Sequence, residues 1–529
     1  MKQRLQETDH ASRPRRGFVL AVVTVTVVLL ALAAYNYSGT MLVEYQAASM
    51  GGRDLTARAA AESAIEFAAT RVMERDADDT INLYNDPDVF RGIILQDSPN
   101  ARATVRCTVL TFNETNTDTG DIRFGLGNEN SKFNVNTLLT LDQSEEDLPE
   151  EERLGLAYNA MAYIPNMTDD IVDAILDWLD SDEDRRPGGA EANDYATLAV
   201  PYECRNGNME SIDELLKIQG VTPDLFYGED ANHNGILDEG EDVNEDGIFE
   251  LGWQSYLTVS SLERNTTSDG EDKINLNGNE MTELFDAVEE EFGTEAAMYV
   301  VGFRLAGAEG QEPVPGQPGD VTGKISREGI NLAIVPTFPL NSIYDLIGRD
   351  TLDVQMLDGT TEIFPSPWPN DTNTLLNILP DLEKAFTTTD DAAIPGRVNI
   401  NGARREVLLA VLSTVGLSET TADAIFSARP PVELGSASSN ILARRNTAAW
   451  ILAEGIVELE ELRALGPYIT TGGDVYRLQA VGHFDEGGPT TRLEATIDNT
   501  VYPPVIKSVR DLTSLGRGYH PSLLTPQQQ

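Results

Sequence analysis

Arg15-Arg16-Gly17-Phe18 leads into FVLAVVTVTVVLLALAAY (18–35), a run without a single charge, and the reading of this stretch decides how the rest of the chain is organised. Five basic residues precede it: Lys2, Arg4, Arg13, Arg15 and Arg16. As a helix, its 18 residues reach about 27 Å at roughly 1.5 Å per residue, enough for the hydrocarbon core of a bilayer. Basic flanks stay cytoplasmic, so the sequence predicts a single pass of the bacterial inner membrane, with everything after Tyr35 on the periplasmic side.

Three fates of the segment are open. Ala31-Leu32-Ala33 can serve as the small-x-small cut site of a secretory signal, and Arg15-Arg16 with Phe18 also matches a twin-arginine export signal. A prepilin-type leader, residues 1–17, would instead be cut between Gly17 and Phe18 and leave the helix whole. Two features favour the leader. The run is long for a removable signal, and LTARAAAESAIEFAATRVMER (55–75) continues as a strong helix former without Pro or Gly. The expected stem is a transmembrane and pilin-like helix over 18–75, with a break or bend at Gly39 and Gly51-Gly52.

A chain of 529 residues is long enough for several domains. Its 38 basic and 87 acidic residues leave a net charge of −49, which repels phosphate backbones and suits divalent cations and an extracytoplasmic surface. Cys107 and Cys204 are the only cysteines; one disulfide or two free thiols are both open.

Ala101 to Phe112 alternates apolar and polar residues as a half-buried strand does, and so do Val475 to His483 and Thr491 to Ile497. The expected fold is α+β: a long N-terminal helix, a small antiparallel sheet closed by strands distant in sequence, and large inserted helical modules of a helix-hairpin-helix or SAM-like kind. The expected divisions are the opening portion of a pilin-like sheet at 76–128, a first helical module at 129–228, calcium-binding loops at 229–253, and an extra inserted module at 254–394. A second helical module at 395–470, closing strands at 471–505 and a C-terminal tail at 506–529 follow. The extra module contains a Gly/Pro-rich linker, Gly307 to Lys324.

One pattern occurs three times: Lys132-Phe133-Asn134-Val135-Asn136, Lys273-Ile274-Asn275-Leu276-Asn277 and Arg397-Val398-Asn399-Ile400-Asn401. A basic residue precedes apolar-Asn-apolar-Asn and a helical stretch, so each copy reads as a short strand whose second Asn caps a helix. Three copies argue for repeated modules.

The densest signature follows the first copy. DDIVDAILDWL (169–179) places Ile171, Ile175, Trp178 and Leu179 on one helical face and Asp173, Asp177 and Asp180 near another. SDEDRRPGGAE (181–191), Pro201-Tyr202, Asn206 and SIDELLKIQGVTPDLF (211–226) come next. This order resembles protein K of the bacterial type II (general) secretion pathway, a large minor pseudopilin. The matching positions are Asp177, Trp178, Asp180, Asp182, Pro187, Gly189, Ala190, Glu191, Pro201, Tyr202, Asn206, Glu214, Leu215, Leu216, Gly220, Thr222 and Pro223.

The resemblance implies cleavage by a prepilin peptidase, assembly with the major pseudopilin and with minor pseudopilins resembling proteins I and J, and a role in starting and capping a periplasmic pseudopilus that exports folded proteins. Pilin-like subunits usually carry Glu at the fifth mature position; counted from Phe18, this chain has Val22. The family resembles the exception. A first subunit has no neighbouring amine above it to neutralise, and a buried unpaired carboxylate would be costly. Residues 228–395 exceed what the family pattern requires.

Asp230-Ala-Asn232-His-Asn234-Gly235-Ile236-Leu-Asp238-Glu-Gly-Glu241 fits the twelve-residue calcium loop position by position, with Gly sixth and Glu twelfth. Oxygens of Asp230, Asn232, Asn234, the Ile236 carbonyl, a water at Asp238 and both oxygens of Glu241 would complete a calcium shell. A second loop offers Asp242, Asn244, Asp246, Ile248 and Glu250, with Trp253 where the final Glu belongs. Asp180, Asp182, Asp184 and Glu191 form another acidic cluster able to hold calcium, or else a solvated loop beside Arg185 and Arg186. Any such ion would be structural.

The four histidines (His10, His233, His483, His520) are scattered, and no nucleophile elbow or phosphate loop is present, so an enzyme is not expected. The stretches Ile212 to Phe226 and Val407 to Arg429 resemble helix-hairpin-helix folds. Arg404, Arg405, Arg444 and Arg445 give the latter a modest basic patch, but the global charge opposes nucleic acid. The expected function is therefore that of a minor pseudopilin. An exported calcium-stabilised surface or adhesion protein and a minor pilin of a DNA-uptake pilus remain alternatives.

Overall fold

The computed structural model describes residues 16–75, 81–112, 121–145, 149, 153–267, 270–309, 311, 313–314, 326–429, 445 and 447–526. Most of the leader, most of the linker at 307–324, and Arg444 lie outside them.

A 60-residue helix, α1 (Arg16–Arg75), carries everything else. It runs through Gly39 and Gly51-Gly52, so the expected break is absent. Each glycine costs a helix about 1 kcal/mol relative to Ala, but without a proline nothing removes a hydrogen bond or blocks the preceding turn. Every residue from Phe18 to Gly52 is exposed. Above that, Ala57, Ala60, Ala61, Ala64, Ile65, Ala68 and Val72 form a buried stripe at helical spacing.

The stripe lies on an antiparallel sheet of β1 (Ile93–Gln96), β2 (Val105–Phe112), β3 (Val475–Phe484), β4 (Thr491–Asp498) and β5 (Val505–Asp511), in that spatial order. Two short strands, Ile122–Arg123 and Gly127–Asn128, pair with β2 and β3. Val109 stands opposite Ala480, and Ala480 opposite Leu493, so one layer faces the helix. Small residues bring helix and sheet close: a Cβ on Gly482 would strike the Ala57 carbonyl.

The sheet departs from expectation in two ways. Residues 506–529 are more than a tail, because β5 completes the sheet and Tyr519 and Leu524 pack on its outer face against Leu110 and Val481. For the same reason β2 is covered on both faces; even Thr108 is fully buried.

Between β2 and β3 the three Asn motifs open three modules, each closed by a two-residue parallel pairing. Phe133–Asn134 meets Leu257–Thr258, Ile274–Asn275 meets Phe386–Thr387, and Val398–Asn399 meets Ile469–Thr470. The first module thus runs past the expected boundary at 253. Each contains a helix pair: α2 (Leu156–Met161) and α3 (Asp169–Leu179), α4 (Met281–Phe292) and α5 (Thr294–Ala306), α6 (Arg405–Thr414) and α7 (Glu419–Ser427). Each also has a capped turn before its closing strand, at Ser211/Glu214, Ser342/Asp345 and Glu458/Glu461. One apolar core runs through all three.

Capping falls to the first Asn, not to the second. Oδ1 of Asn134, Asn275 and Asn399 accepts the backbone N–H of Asn136, Asn277 and Asn401 at 3.0, 2.9 and 2.9 Å. The second Asn is thereby free to tie in distant chain. Asn136 exchanges two hydrogen bonds with the Met209 backbone (3.0 and 2.8 Å), and Asn277 two with Leu340 (2.8 and 2.9 Å). Asn401 donates to the carbonyls of Arg445 and Thr471.

The stretch Ile212 to Phe226 is a six-residue 3-10 helix and a five-residue α-helix, Pro223–Tyr227. Between the extra and third modules Glu383 accepts the Tyr344 hydroxyl at 3.0 Å, near Lys273, Glu263 and Arg397. Burial pushes the Glu383 carboxyl up to about 8. Cys107 and Cys204 are both free thiols.

Candidate functional site

Thr168 caps α3 through its side chain, and the helix then buries every residue from Ile171 to Leu179. Its apolar face joins the core, which leaves Asp173 and Asp177 on α3, with Asp180 at its C-cap, sealed by the loop that follows. Asp173 accepts the Tyr158 hydroxyl at 2.6 Å and the Gly188 N–H at 2.8 Å. Arg186 places Nη1 2.8 Å from Asp177 and 2.6 Å from Asp180, and Nη2 3.0 Å from Asp142. The Gly188-Gly189 turn is forced, since a Cβ at either position would collide with Asp170 or Asp177.

Glu191 completes the group. Carboxylate oxygens of Asp177, Asp180 and Glu191 lie within 4.8 Å of one another. Glu191 is 3% exposed and forms a capping box with Asp194, while Asp180 Oδ1 has no hydrogen-bond partner. Burial, then the charges of Asp177, Asp180 and Glu183, push Glu191 up to about 7. Burial also raises Asp177 and Asp180 despite their bonds to Arg186. One guanidinium cannot neutralise so many sealed carboxylates, and an all-oxygen set suits a hard divalent cation. Asp182 and Asp184 do not join; both are exposed, with Asp182 bonded to the Asp184 N–H at 2.8 Å. Asp177 takes their place because it lies one helical turn before Asp180.

The loop 230–241 turns on its own side chains. Asp230, 2% exposed, accepts the N–H groups of Asn234 and Gly235, each at 2.9 Å. Glu241 accepts those of Asn232 (3.2 Å) and Asp238 (3.0 Å). Asn232 and Asn234 each donate to Asp238 at 2.7 Å, so the side chains at positions one, three, five, nine and twelve converge. Burial, with Glu241 adding to it against the two backbone bonds, pushes Asp230 up to about 6. Gly235 has φ +72°, and a Cβ there would meet Phe112 of the sheet. Ile236 packs on the outer sheet face, where Arg492 and Gln479 hold the His233 carbonyl at 2.7 and 2.8 Å.

The second loop is more exposed. Gly247 donates to Asp242 at 2.9 Å and Asn244 to Glu250 at 3.2 Å, while Asp246 caps Ile248. Trp253 is buried instead, donating to the Pro165 carbonyl at 2.7 Å, so this position serves the core.

The described members of the basic patch on the third module are paired or buried. Arg405 pairs with Asp423 and Glu419, Arg445 with Glu454, and Arg404 is 4% exposed. None of these side chains forms a free cationic surface for phosphates. Gly17 and Phe18 sit in the first turns of α1, with Phe18 exposed and Val22 at the fifth position from it. The helix is long and apolar enough to cross a membrane.

Residues 131–227 match the family model described as Type II secretion system (T2SS), protein K. Over this stretch the chain is similar to protein K. It is also similar to Type II secretion system protein K of Pectobacterium carotovorum subsp. carotovorum, 29% identical over 113 residues, which are 21% of this chain and 34% of that protein. The match therefore spans about a third of the curated relative. The crystal structure of the GspK-GspI-GspJ complex from the enterotoxigenic Escherichia coli Type 2 Secretion System aligns over 85% of this chain and 96% of the matched chain, at 9% identity and a TM-score of 0.32. So low a score carries nothing about the fold. Asp177, Asp180, Arg186 and Glu191 all lie inside the matched stretch; the loops at 230–250 and the extra module lie beyond it.

Proposed function

We propose that this protein is a minor pseudopilin of a type II secretion system, anchored in the inner membrane by α1 and carrying its head in the periplasm. The observation that supports this most is the stem: a helix bare of contacts from Phe18 to Gly52 that continues without a break into the half packed on the sheet. So much exposed apolar surface calls for lipid and neighbouring helices. Cleavage by the prepilin peptidase between Gly17 and Phe18 would free this stem, and Val22 in place of Glu suits a subunit with none above it. With partners resembling proteins I and J it would start the fibre of major pseudopilin and cap its tip, the large head blocking further addition.

Asp177, Asp180 and Glu191 would hold a structural calcium ion, as would Asp230, Asn232, Asn234, Ile236, Asp238 and Glu241. The more exposed loop of Asp242, Asn244, Asp246, Ile248 and Glu250 is a weaker site. Mass spectrometry of the mature N-terminus tests the stem: a methylated Phe18 is expected, whereas a chain beginning at Ala34 would replace this reading with that of an exported, calcium-stabilised surface protein. Calorimetry tests the ions. Glu191→Gln should remove one class of binding heat and Asp230→Ala with Glu241→Ala another; unchanged heat in either variant dismisses that site.

A further inference from the structure

Where the sheet, the first module and the third module meet, a cavity of about 40 Å³ is lined by Ser131, Lys132, Ser255, Arg404, Arg477 and Glu494 among others. At about 10–15 Å³ per water-sized occupant, it takes a few small particles and no more. Arg404 lies on its wall, 4% exposed, and both Nε and Nη1 are sealed from solvent without an acceptor. Its neighbours are paired. Lys132 Nζ is 3.1 Å and Arg477 Nε 3.0 Å from Glu129, and Arg477 Nη1 is 3.7 Å from Glu494.

Three cations therefore face two carboxylates, and the surplus charge is that of Arg404. A guanidinium does not shed its proton, so a sealed one needs a negative partner or a substantial desolvation cost goes uncompensated. Glu129 cannot supply it. Arg477 and Lys132 already hold that carboxyl down at about 2 against the effect of burial.

We propose that this cavity is a binding site for a small monovalent anion of chloride size, held by the Arg404 guanidinium. The anion cancels the surplus charge and accepts the stranded N–H groups. It also joins three regions of the molecule. Arg404 comes from the turn after the third Asn motif, which presses on the first module so closely that a Cβ on Gly402 would strike Ser131. Lys132 opens the first module, and Arg477 belongs to β3.

The test is thermal unfolding of the full chain in detergent, titrating bromide or chloride against gluconate at constant ionic strength. The melting temperature should rise by about 2 °C or more with halide, and Arg404→Met should abolish that rise. Equal melting temperatures of the unaltered protein in both salts would overturn the proposal. Should Arg404→Met fail to fold, crystals of the unaltered protein grown in bromide decide. An anomalous peak within hydrogen-bond reach of Arg404 supports the site, and water without anomalous signal refutes it.

Discussion

The first module and the extra one at 273–387 use their asparagines in the same way, Asn136 with Met209 and Asn277 with Leu340. They differ in what the second helix buries. In the extra module α5 encloses Tyr299, Val300, Val301 and Phe303, with Arg304 bonded to Asn277 at 2.9 Å. In the first module α3 encloses Asp173 and Asp177, with Asp180 at its end. The frame therefore has no need of acids. Sealing carboxylates where apolar residues would serve raises free energy, so the acidic group is not a requirement of the frame.

Arg186→Met gives the largest expected effect on this contrast. It strands Asp177 and Asp180, and urea unfolding in a chelator should show a loss of about 3–5 kcal/mol. If calcium binds there, the loss shrinks when calcium is added. An Arg304→Met variant should show no such calcium dependence, and finding it in both would erase the distinction between the modules.

Asn136→Ala and Asn277→Ala probe what the modules share. The first removes two hydrogen bonds to distant backbone and the second three, together with the one from Arg304; urea titration should give a loss of about 1–3 kcal/mol for Asn136→Ala and at least as much for Asn277→Ala. A cost for Asn136 with none for Asn277 would mean that the extra module is held by other means.

A pH-dependent effect is expected at Glu383, where the extra module meets the third. Folded Glu383 keeps its proton up to about 8, against 4.5 for the ordinary carboxyl. The folded state thus binds this proton more tightly; the stability it contributes is complete below about pH 4.5 and is lost as pH rises toward 8. Melting curves from pH 5 to 8.5 should fall less steeply for Glu383→Gln than for the unaltered protein, and parallel curves would assign the pH dependence elsewhere.

Alternation makes β2, β3 and β4 legible in the sequence, and Val505 to Asp511, VIKSVRD, carries a trace of the same signal that the nearby prolines obscure. The module closures are not legible. A two-residue strand such as Leu257–Thr258 has no period, and its partner lies far away in the chain. Glycine at 39, 51 and 52 suggests a bend because local propensity favours one, yet the cooperativity of a long helix prevails. The loop at 230–241 can be read because its acidic and amide positions are contiguous. The acidic group can be read only incompletely: Asp180 and Glu191 stand out, but Asp182 and Asp184 look equal to them, and only the fold of the Gly188-Gly189 turn separates exposed acids from sealed ones. Nothing in the sequence marks Arg404 as buried beside a cavity.

Because β2 and β3 are adjacent antiparallel partners, with Leu110 opposite Gln479, and the short strands at 122–123 and 127–128 pair with them, the sheet treats 129–474 as the connection of one hairpin. The register of that hairpin is fixed by the two strands, whatever length of chain hangs between them. A graft that joins Asn128 to Val475 through a short turn should therefore leave a stalk that still folds.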